Sequence, residues 1–231
     1  MTTGKRITNV LTVAVVAMGL IMMTNSAIAA PIGTLSTEAP SNNNTNNHVG
    51  TIQATVGDLI ETVGSVADEG ANGASRHVTA SVFNGKVSTG TGNEGNGGDP
   101  DANNAAGYWI TDSFVEFDLD TTANTLGYDI STINIIQRGD GSRPSINVAV
   151  SLRTVGGSFV EIYDTGAVGT GNNVNQVAVT DDGAALLGSG IDGVRFDFGN
   201  PGLNWTWYRE LDVVGTATGT AATPGTLIYG K

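Results

Sequence analysis

Apolar and polar residues alternate along several short stretches of this chain. In Ser113–Leu119, Val115, Phe117 and Leu119 fall on one side and Glu116 and Asp118 on the other. Ile146, Val148, Val150 and Leu152 alternate with Asn147, Ala149, Ser151 and Arg153, and Val194, Phe196 and Phe198 alternate with Arg195 and Asp197. A last run sets Arg209, Leu211 and Val213 against Tyr208, Glu210 and Asp212. A period of two with one apolar face predicts strands packed on a core by one side. The charged positions Arg195, Asp197, Arg209, Glu210 and Asp212 are then expected to form cross-strand ion pairs on the exposed face.

Further strands are expected at Thr51–Val56, Leu59–Val66, His77–Phe83, Thr132–Ile136, Phe159–Tyr163 and Val174–Thr180. Turn signals at Asn84-Gly85, Asp140-Gly141, Gly156-Gly157 and Asp182-Gly183 separate them. Only Asp181–Leu187 is expected to make a helical turn. About eight to ten short strands without intervening helices predict an all-β fold, an antiparallel sandwich or jelly roll. Ser88–Gly107, rich in Gly and Asn, reads as a long loop.

Composition agrees with that architecture. Glycine supplies 33 of 231 residues and charged residues only 14%. Glycine is costly inside helices, and coiled coils need charged flanks. The absence of cysteine removes disulfides, thiolate metal sites and a cysteine nucleophile.

Lys5 and Arg6 precede an apolar run, Val10–Met23, and then Asn25-Ser26-Ala27-Ile28-Ala29. This is the pattern of a cleaved export signal, and the run is too short to span a bilayer. The expected organisation is a signal over residues 1–29, an Asn-rich flexible leader over 30–50, a β-sandwich over 51–216 and a loose tail over 217–231. The expected location is secreted or at the cell surface. Loss of the two bases takes the formal charge from −12 to −14. Such a chain repels phosphate backbones and anionic lipid surfaces, so neither nucleic acid nor stable membrane insertion is expected. Acidity of this kind suits oxygen-rich sites for hard cations.

Several pieces, in order, resemble a discoidin-like domain, the coagulation factor V/VIII C-type module of the galactose-binding-like superfamily. They are Val82-Phe83-Asn84-Gly85, Tyr108-Trp109-Ile110, Phe114–Asp120, Ile130–Asn134, Val148–Ser151, Gly193–Phe196 and Tyr208–Gly215. The family's Asp-Gly turn is Asn84-Gly85 here, and its Asp-Leu-Gly is Asp118-Leu119-Asp120. The resemblance implies a jelly roll that binds ligands with loops at one end, mostly as a carbohydrate- or surface-binding module of exported proteins. It also implies a calcium site joining Asn84 to Glu210, weakened by Asn in place of Asp. Without a metal, Asn84 is a turn residue and Glu210 a solvent-facing carboxylate.

Two loops carry the candidate ligand-binding residues. Asn204-Trp205-Thr206-Trp207 precedes the last strand, and Trp205 either offers a flat face to a sugar ring with Asn204 beside it or packs on the sandwich edge. Trp207 falls in register with the strand and reads as core. Arg138-Gly139-Asp140-Gly141-Ser142-Arg143 follows the Thr132–Ile136 strand, and by the resemblance it lies at the ligand end. There Arg138, Asp140 and Arg143 could meet hydroxyls or a carboxylate. The Arg138-Gly139-Asp140 tripeptide also matches an adhesion motif, but a polar turn explains it. Gly90-x-Gly92-x-x-Gly95 lacks a strand-to-helix context, and Asp99-x-Asp101-x-Asn103 fails as a calcium loop at Asn104 and Ile110.

His48 falls in the leader and His77 stands alone, and no nucleophile elbow is present. Catalysis is not expected. Together these features predict a secreted, non-catalytic module binding carbohydrate or another cell-surface polymer, with calcium as its one candidate cofactor. A self-assembling matrix, sheath or filament subunit is the alternative, and a carbohydrate-active enzyme stands third.

Overall fold

A computed structural model describes residues 30–41, 48–70, 113–138, 146–169, 171, 173–183, 186–199 and 208–219. The chain forms nine strands and one short helix among these residues: β1 (Pro31–Glu38), α1 (Leu59–Val63), β2 (Gly64–Gly70), β3 (Ser113–Leu119), β4 (Tyr128–Arg138), β5 (Val148–Thr154), β6 (Phe159–Asp164), β7 (Val174–Asp181), β8 (Gly188–Phe198) and β9 (Tyr208–Ala217). Every described pairing is antiparallel. One sheet runs β1-β7-β4-β9 and the other β2-β3-β8-β5-β6. They join at one corner, where the start of β4 pairs with the start of β8 through Tyr128↔Ile191 and Ile130↔Gly188.

The inward faces of both sheets share one core. Ile133 and Ile135 of β4, Val177 and Val179 of β7, and Leu211 and Val213 of β9 meet Val115, Phe117, Val150, Val194 and Phe196 of the other sheet. Phe117 and Phe196 stack edge to face with centroids 6.2 Å apart. Each such buried side chain stabilises the fold by about 1.5–3 kcal/mol. The expected antiparallel β-sandwich is the observed architecture. The strands with the cleanest alternation, β3, β5 and β8, lie side by side in one sheet.

Three expectations near the N-terminal part need correction. Thr51–Val56 is not a strand, and the Leu59–Val66 stretch splits into α1 and the start of β2. Asp58 causes the split: its carboxylate accepts from the backbone N–H groups of Ile60 and Glu61 and so caps α1. The helix ends at Gly64, whose backbone is extended and whose N–H donates to the Ile60 carbonyl; a Cβ there would lie 2.6 Å from that oxygen. Pro31–Glu38, read as flexible leader, is β1, paired along its full length with β7. Backbone hydrogen bonds hold it rather than an apolar face, since most of its side chains are exposed. Ala217, expected in the loose tail, pairs with Tyr128 as the last residue of β9; residues 1–29 and 220–231 and the His77–Phe83 strand lie outside the described residues.

His48, expected in a disordered leader, is buried. Its Nε2 donates to Glu38 Oε1 at 2.5 Å, and Glu38 also accepts from Ile52 N, Thr51 N and the Thr51 hydroxyl. Burial opposes ionisation of Glu38, but these donors outweigh it and pull the carboxyl down to about 2. Its hold on β1 is therefore complete above the ordinary value of 4.5 and is lost as pH falls toward about 2. Amide exchange in β1 is expected to stay slow down to that upper limit and to accelerate below it, beyond the intrinsic pH effect. Glu38→Gln is expected to exchange fast at every pH; slow exchange in the variant would mean that β7 alone holds the strand.

Candidate functional site

Alternation along β9 puts Leu211 and Val213 in the core and turns Glu210 and Asp212 to the opposite face of the sheet. The sequence suggests that this face is solvated, but all three charged positions there, Arg209, Glu210 and Asp212, are buried. Two features explain the difference. The register shifts so that Gln137 faces Tyr208 and Ile136 faces Glu210, leaving Arg209 as an extra residue. The segment from Ile52 through α1 then covers the face: Ile52 packs with Ile136 and Val174, and α1 packs on β9. Gly215 permits this approach, because a Cβ there would sit 2.9 Å from Leu59 Cδ1 and 2.5 Å from the Asp129 carbonyl oxygen.

Asp58, Glu210 and Asp212 come together beneath this cover, offering one carboxylate oxygen each within 4.8 Å of one another. Asp58 Oδ1 accepts from Ile60 N at 2.7 Å and from Val213 N at 3.3 Å. Asp212 Oδ2 accepts from Thr55 N at 2.9 Å and from Asn134 Nδ2 at 3.2 Å. Asp58 Oδ2 and Asp212 Oδ1 are buried without a hydrogen-bond partner. Burial pushes the Asp58 carboxyl up to about 6, and the charge of Asp212 acts in the same direction against the N–H donors. Burial also raises Asp212, opposed by Thr55 and Asn134. One carboxylate oxygen from each of Asp58, Glu210 and Asp212 makes a set that can hold a metal ion.

A second feature lies on the outer face of the other sheet, at the end where β3 and β5 begin and β6 and β8 finish. A cleft of about 370 Å³ opens there, lined by Phe114, Asn147, Asp164, Arg195, Asp197 and Gly199, among others. The register sets Phe114 opposite Asp197 and Glu116 opposite Arg195. The Arg195 guanidinium lies over the Phe114 ring, 3.9 Å from its centroid. Its Nε and Nη2 donate to Asp197 at 2.6–3.0 Å, and its Nη1 donates to Glu116 at 2.7 Å. Arg195 thus pairs across strands with Glu116, whereas its pairing with Asp197 runs along β8 itself and is not the cross-strand pair expected. Beneath the cleft, the Tyr208 hydroxyl donates to the Asn147 carbonyl and accepts from the Asn147 N–H. Its ring packs on Phe198 at 4.7 Å, and burial raises its phenol. Gly199 leaves room for the Asn147 side chain, since a Cβ there would lie 2.6 Å from Asn147 Nδ2.

The residues expected from sequence fall unevenly on these features. Glu210 belongs to the carboxylate group, joined by Asp58 and Asp212, neither of which the sequence assigned to a metal. The spacing Asp58-x-x-Glu61, a helix-capping signal, marked where the cover turns; Glu61 in fact accepts from Gly57 N at 2.5 Å. Arg138 ends β4. Asn84, Asp140, Arg143, Asn204 and Trp205 lie outside the described residues.

No protein-family model matches the sequence, and no curated protein matches it. Solved structures do resemble it. CpGH89CBM32-6 produced by Clostridium perfringens is 18% identical, with a TM-score of 0.39 over 68% of this chain and 98% of that one. The C-terminal domain of a chitobiase from Bacteroides fragilis is 15% identical, with a TM-score of 0.41 over 70% and 99%. The CBM32 of AlyQ, in complex with 4,5-unsaturated mannuronic acid, is 13% identical, with a TM-score of 0.38 over 70% and 97%. At these identities and TM-scores the likeness says nothing about a ligand.

The raised Asp58 carboxyl gives a direct test of the buried group. Without metal, the folded state binds this proton more tightly than the unfolded chain, so the group's contribution is fully present below the ordinary value of 3.8 and is lost as pH rises through about 6. Asp58→Asn keeps a capping oxygen and removes the buried charge. In chelator at pH 7 the variant is expected to be more stable than the parent by roughly 1–3 kcal/mol, with the gap closing below pH about 4. Denaturant melts across that range would show this; a gap independent of pH would assign the effect to capping.

Proposed function

We propose that the chain is a secreted, non-catalytic module that recognises carbohydrate at the cleft end of the sandwich, with calcium bracing the carboxylate group. The observation that carries this reading is the cleft. It has the volume of a small ligand site, and it combines an aromatic ring, an amide, carboxylates and a guanidinium held in fixed orientation. Such a mixture suits a sugar, whose hydroxyls both donate and accept. β4 ends and β9 begins around the two sequence-predicted loops, so Asn204, Trp205, Asp140 and Arg143 are proposed to extend the site, with Arg138 at its root. The described histidine, His48, is buried between Glu38 at Nε2 and Ser41 at Nδ1, 3.4 Å from the Ser41 hydroxyl, which itself donates to the Val49 carbonyl.

Calcium fits the second feature because all three side chains supply hard oxygen donors and two of those oxygens are orphaned. Asp58 and Asp212 would take the place that the family resemblance gave to Asn84. Bound there, the ion would supply charge neutralisation between α1 and β9. No described helix is long and apolar enough to cross a membrane, and export through residues 1–29 remains part of the proposal.

A glycan array probed with the full chain, with calcium and with chelator, tests the module. Binding is expected in the parent and is expected to fall at least tenfold in Trp205→Ala and in Arg195→Ala; absence of binding to any glycan would overturn the reading. In thermal melts, calcium at about 100 times its Kd is expected to stabilise the parent by about 2.7 kcal/mol and to leave Asp58→Asn unmoved. Equal stabilisation of both would place the ion elsewhere.

One observation favours the assembly alternative. β1 is an edge strand on which Ile32 and Leu35 are each 45% exposed, the kind of edge to which another strand can add. Sedimentation over a range of concentrations separates the two readings, since a simple binding module stays monomeric. Turnover of a chromogenic glycoside would revive the third reading, a carbohydrate-active enzyme.

A further inference from the structure

We infer, building on the carbohydrate reading, that the cleft selects a sugar carrying a free ammonium group over its N-acetylated and acidic counterparts. The charge and hydrogen-bond state of the lining residues point this way. Asp164 and Asp197 line the cleft beside Arg195, and Glu116 holds Arg195 from the neighbouring strand. The cleft and its edge thus hold one guanidinium and three carboxylates, two of them paired with it.

That guanidinium is also committed. Its Nε and Nη2 lie on Asp197, its Nη1 on Glu116, and its flat face on Phe114. Arginine binds a carboxylate best through its two-pronged fork. A uronic acid would have to displace Asp197 or Glu116 to reach that fork, leaving a carboxylate beside the incoming one. The N–H groups that remain suit a neutral hydroxyl.

Asp164 differs from the other two acids. Its Oδ1 accepts from Gly166 N at 2.8 Å, and no cation pairs with it among the described residues. It is exposed at the end of β6 on the wall of the cleft. A hydroxyl can occupy this acceptor, but an ammonium group gains a charge-assisted hydrogen bond there as well. The long-range field has the same sign, because the whole chain carries a formal charge of −12. A polyanion is repelled before it arrives.

The test is an array of matched sugars in the gluco and galacto configurations, each as free amine, N-acetyl derivative and uronate, probed with the full chain. The free amine is expected to bind roughly fivefold to tenfold tighter than the N-acetyl form, and the uronate is expected not to bind. Asp164→Asn is expected to erase the preference without changing the melting temperature, because the side chain is exposed. Asp182→Asn, an exposed acid outside the cleft lining, is expected to keep it. A preference that survives Asp164→Asn, or that Asp182→Asn also erases, overturns the inference. So does uronate binding at the strength of the amine. Equal binding of amine and N-acetyl forms overturns the selectivity but leaves a carbohydrate module; no binding to any sugar overturns both.

Discussion

Three carboxylates buried under one short helix set the terms for one sheet of this sandwich. Moving an ionised carboxylate out of water costs several kcal/mol even after relaxation, and Asp58, Glu210 and Asp212 lie together at 0–4% exposure. The N–H groups of Ile60, Val213 and Thr55 and the Asn134 amide offset part of that cost. Asp58 Oδ2 and Asp212 Oδ1 still have no hydrogen-bond partner, and a proton or a cation would answer them. Asn134 belongs to β4, the strand through which the two sheets are joined, so the buried group is tied to that strand. Its neutralisation also decides how firmly α1 sits on β9.

β9 connects this buried group to the cleft. Glu210 and Asp212 face the cover, while Tyr208, at the start of the same strand, reaches under the cleft and takes both backbone hydrogen-bonding groups of Asn147. Any ion that fixes the strand at Glu210 therefore fixes it two residues from the support of a cleft residue. The two features are chemically unlike: one is dry and anionic, the other wet, mixed in character and open at a sheet face.

What the sequence made legible follows from which forces leave a periodic trace. β3, β5 and β8 pack one apolar face on the core, and alternation located all three. β1 has no such face and is held by backbone bonds and by Glu38, so a strand there read as a polar leader. Leu59, Ile60 and Val63 have the spacing of a short helix as much as of a strand, and the capping pair Asp58 and Glu61 was the signal that separates the two. At the site, alternation correctly put Glu210 and Asp212 off the core face. It could not show that another segment covers that face, because Asp58 comes from more than 150 residues away in the chain. The cleft was hidden for a similar reason: Glu116, Arg195 and Asp197 each read as surface charges, and only the register of β3 against β8 makes them one constellation.

That constellation has already met much of the ordering cost that a flexible arginine would meet on binding. A free Arg side chain loses rotamer entropy when a ligand immobilises it. Arg195 is immobilised by folding, clamped between Glu116 and Asp197 with Phe114 beneath it. Isolated surface ion pairs contribute little to stability, so the clamp is hard to explain as a device for holding the sheet together, which the inward-facing Val115, Val194 and Phe196 already do. Its physical consequence is a fixed set of donors and acceptors at the mouth of a cleft, with the charge of the cation cancelled in advance. A surface built this way distinguishes ligands by where their hydroxyl and amino groups fall, and gives no advantage to those that bring a negative charge.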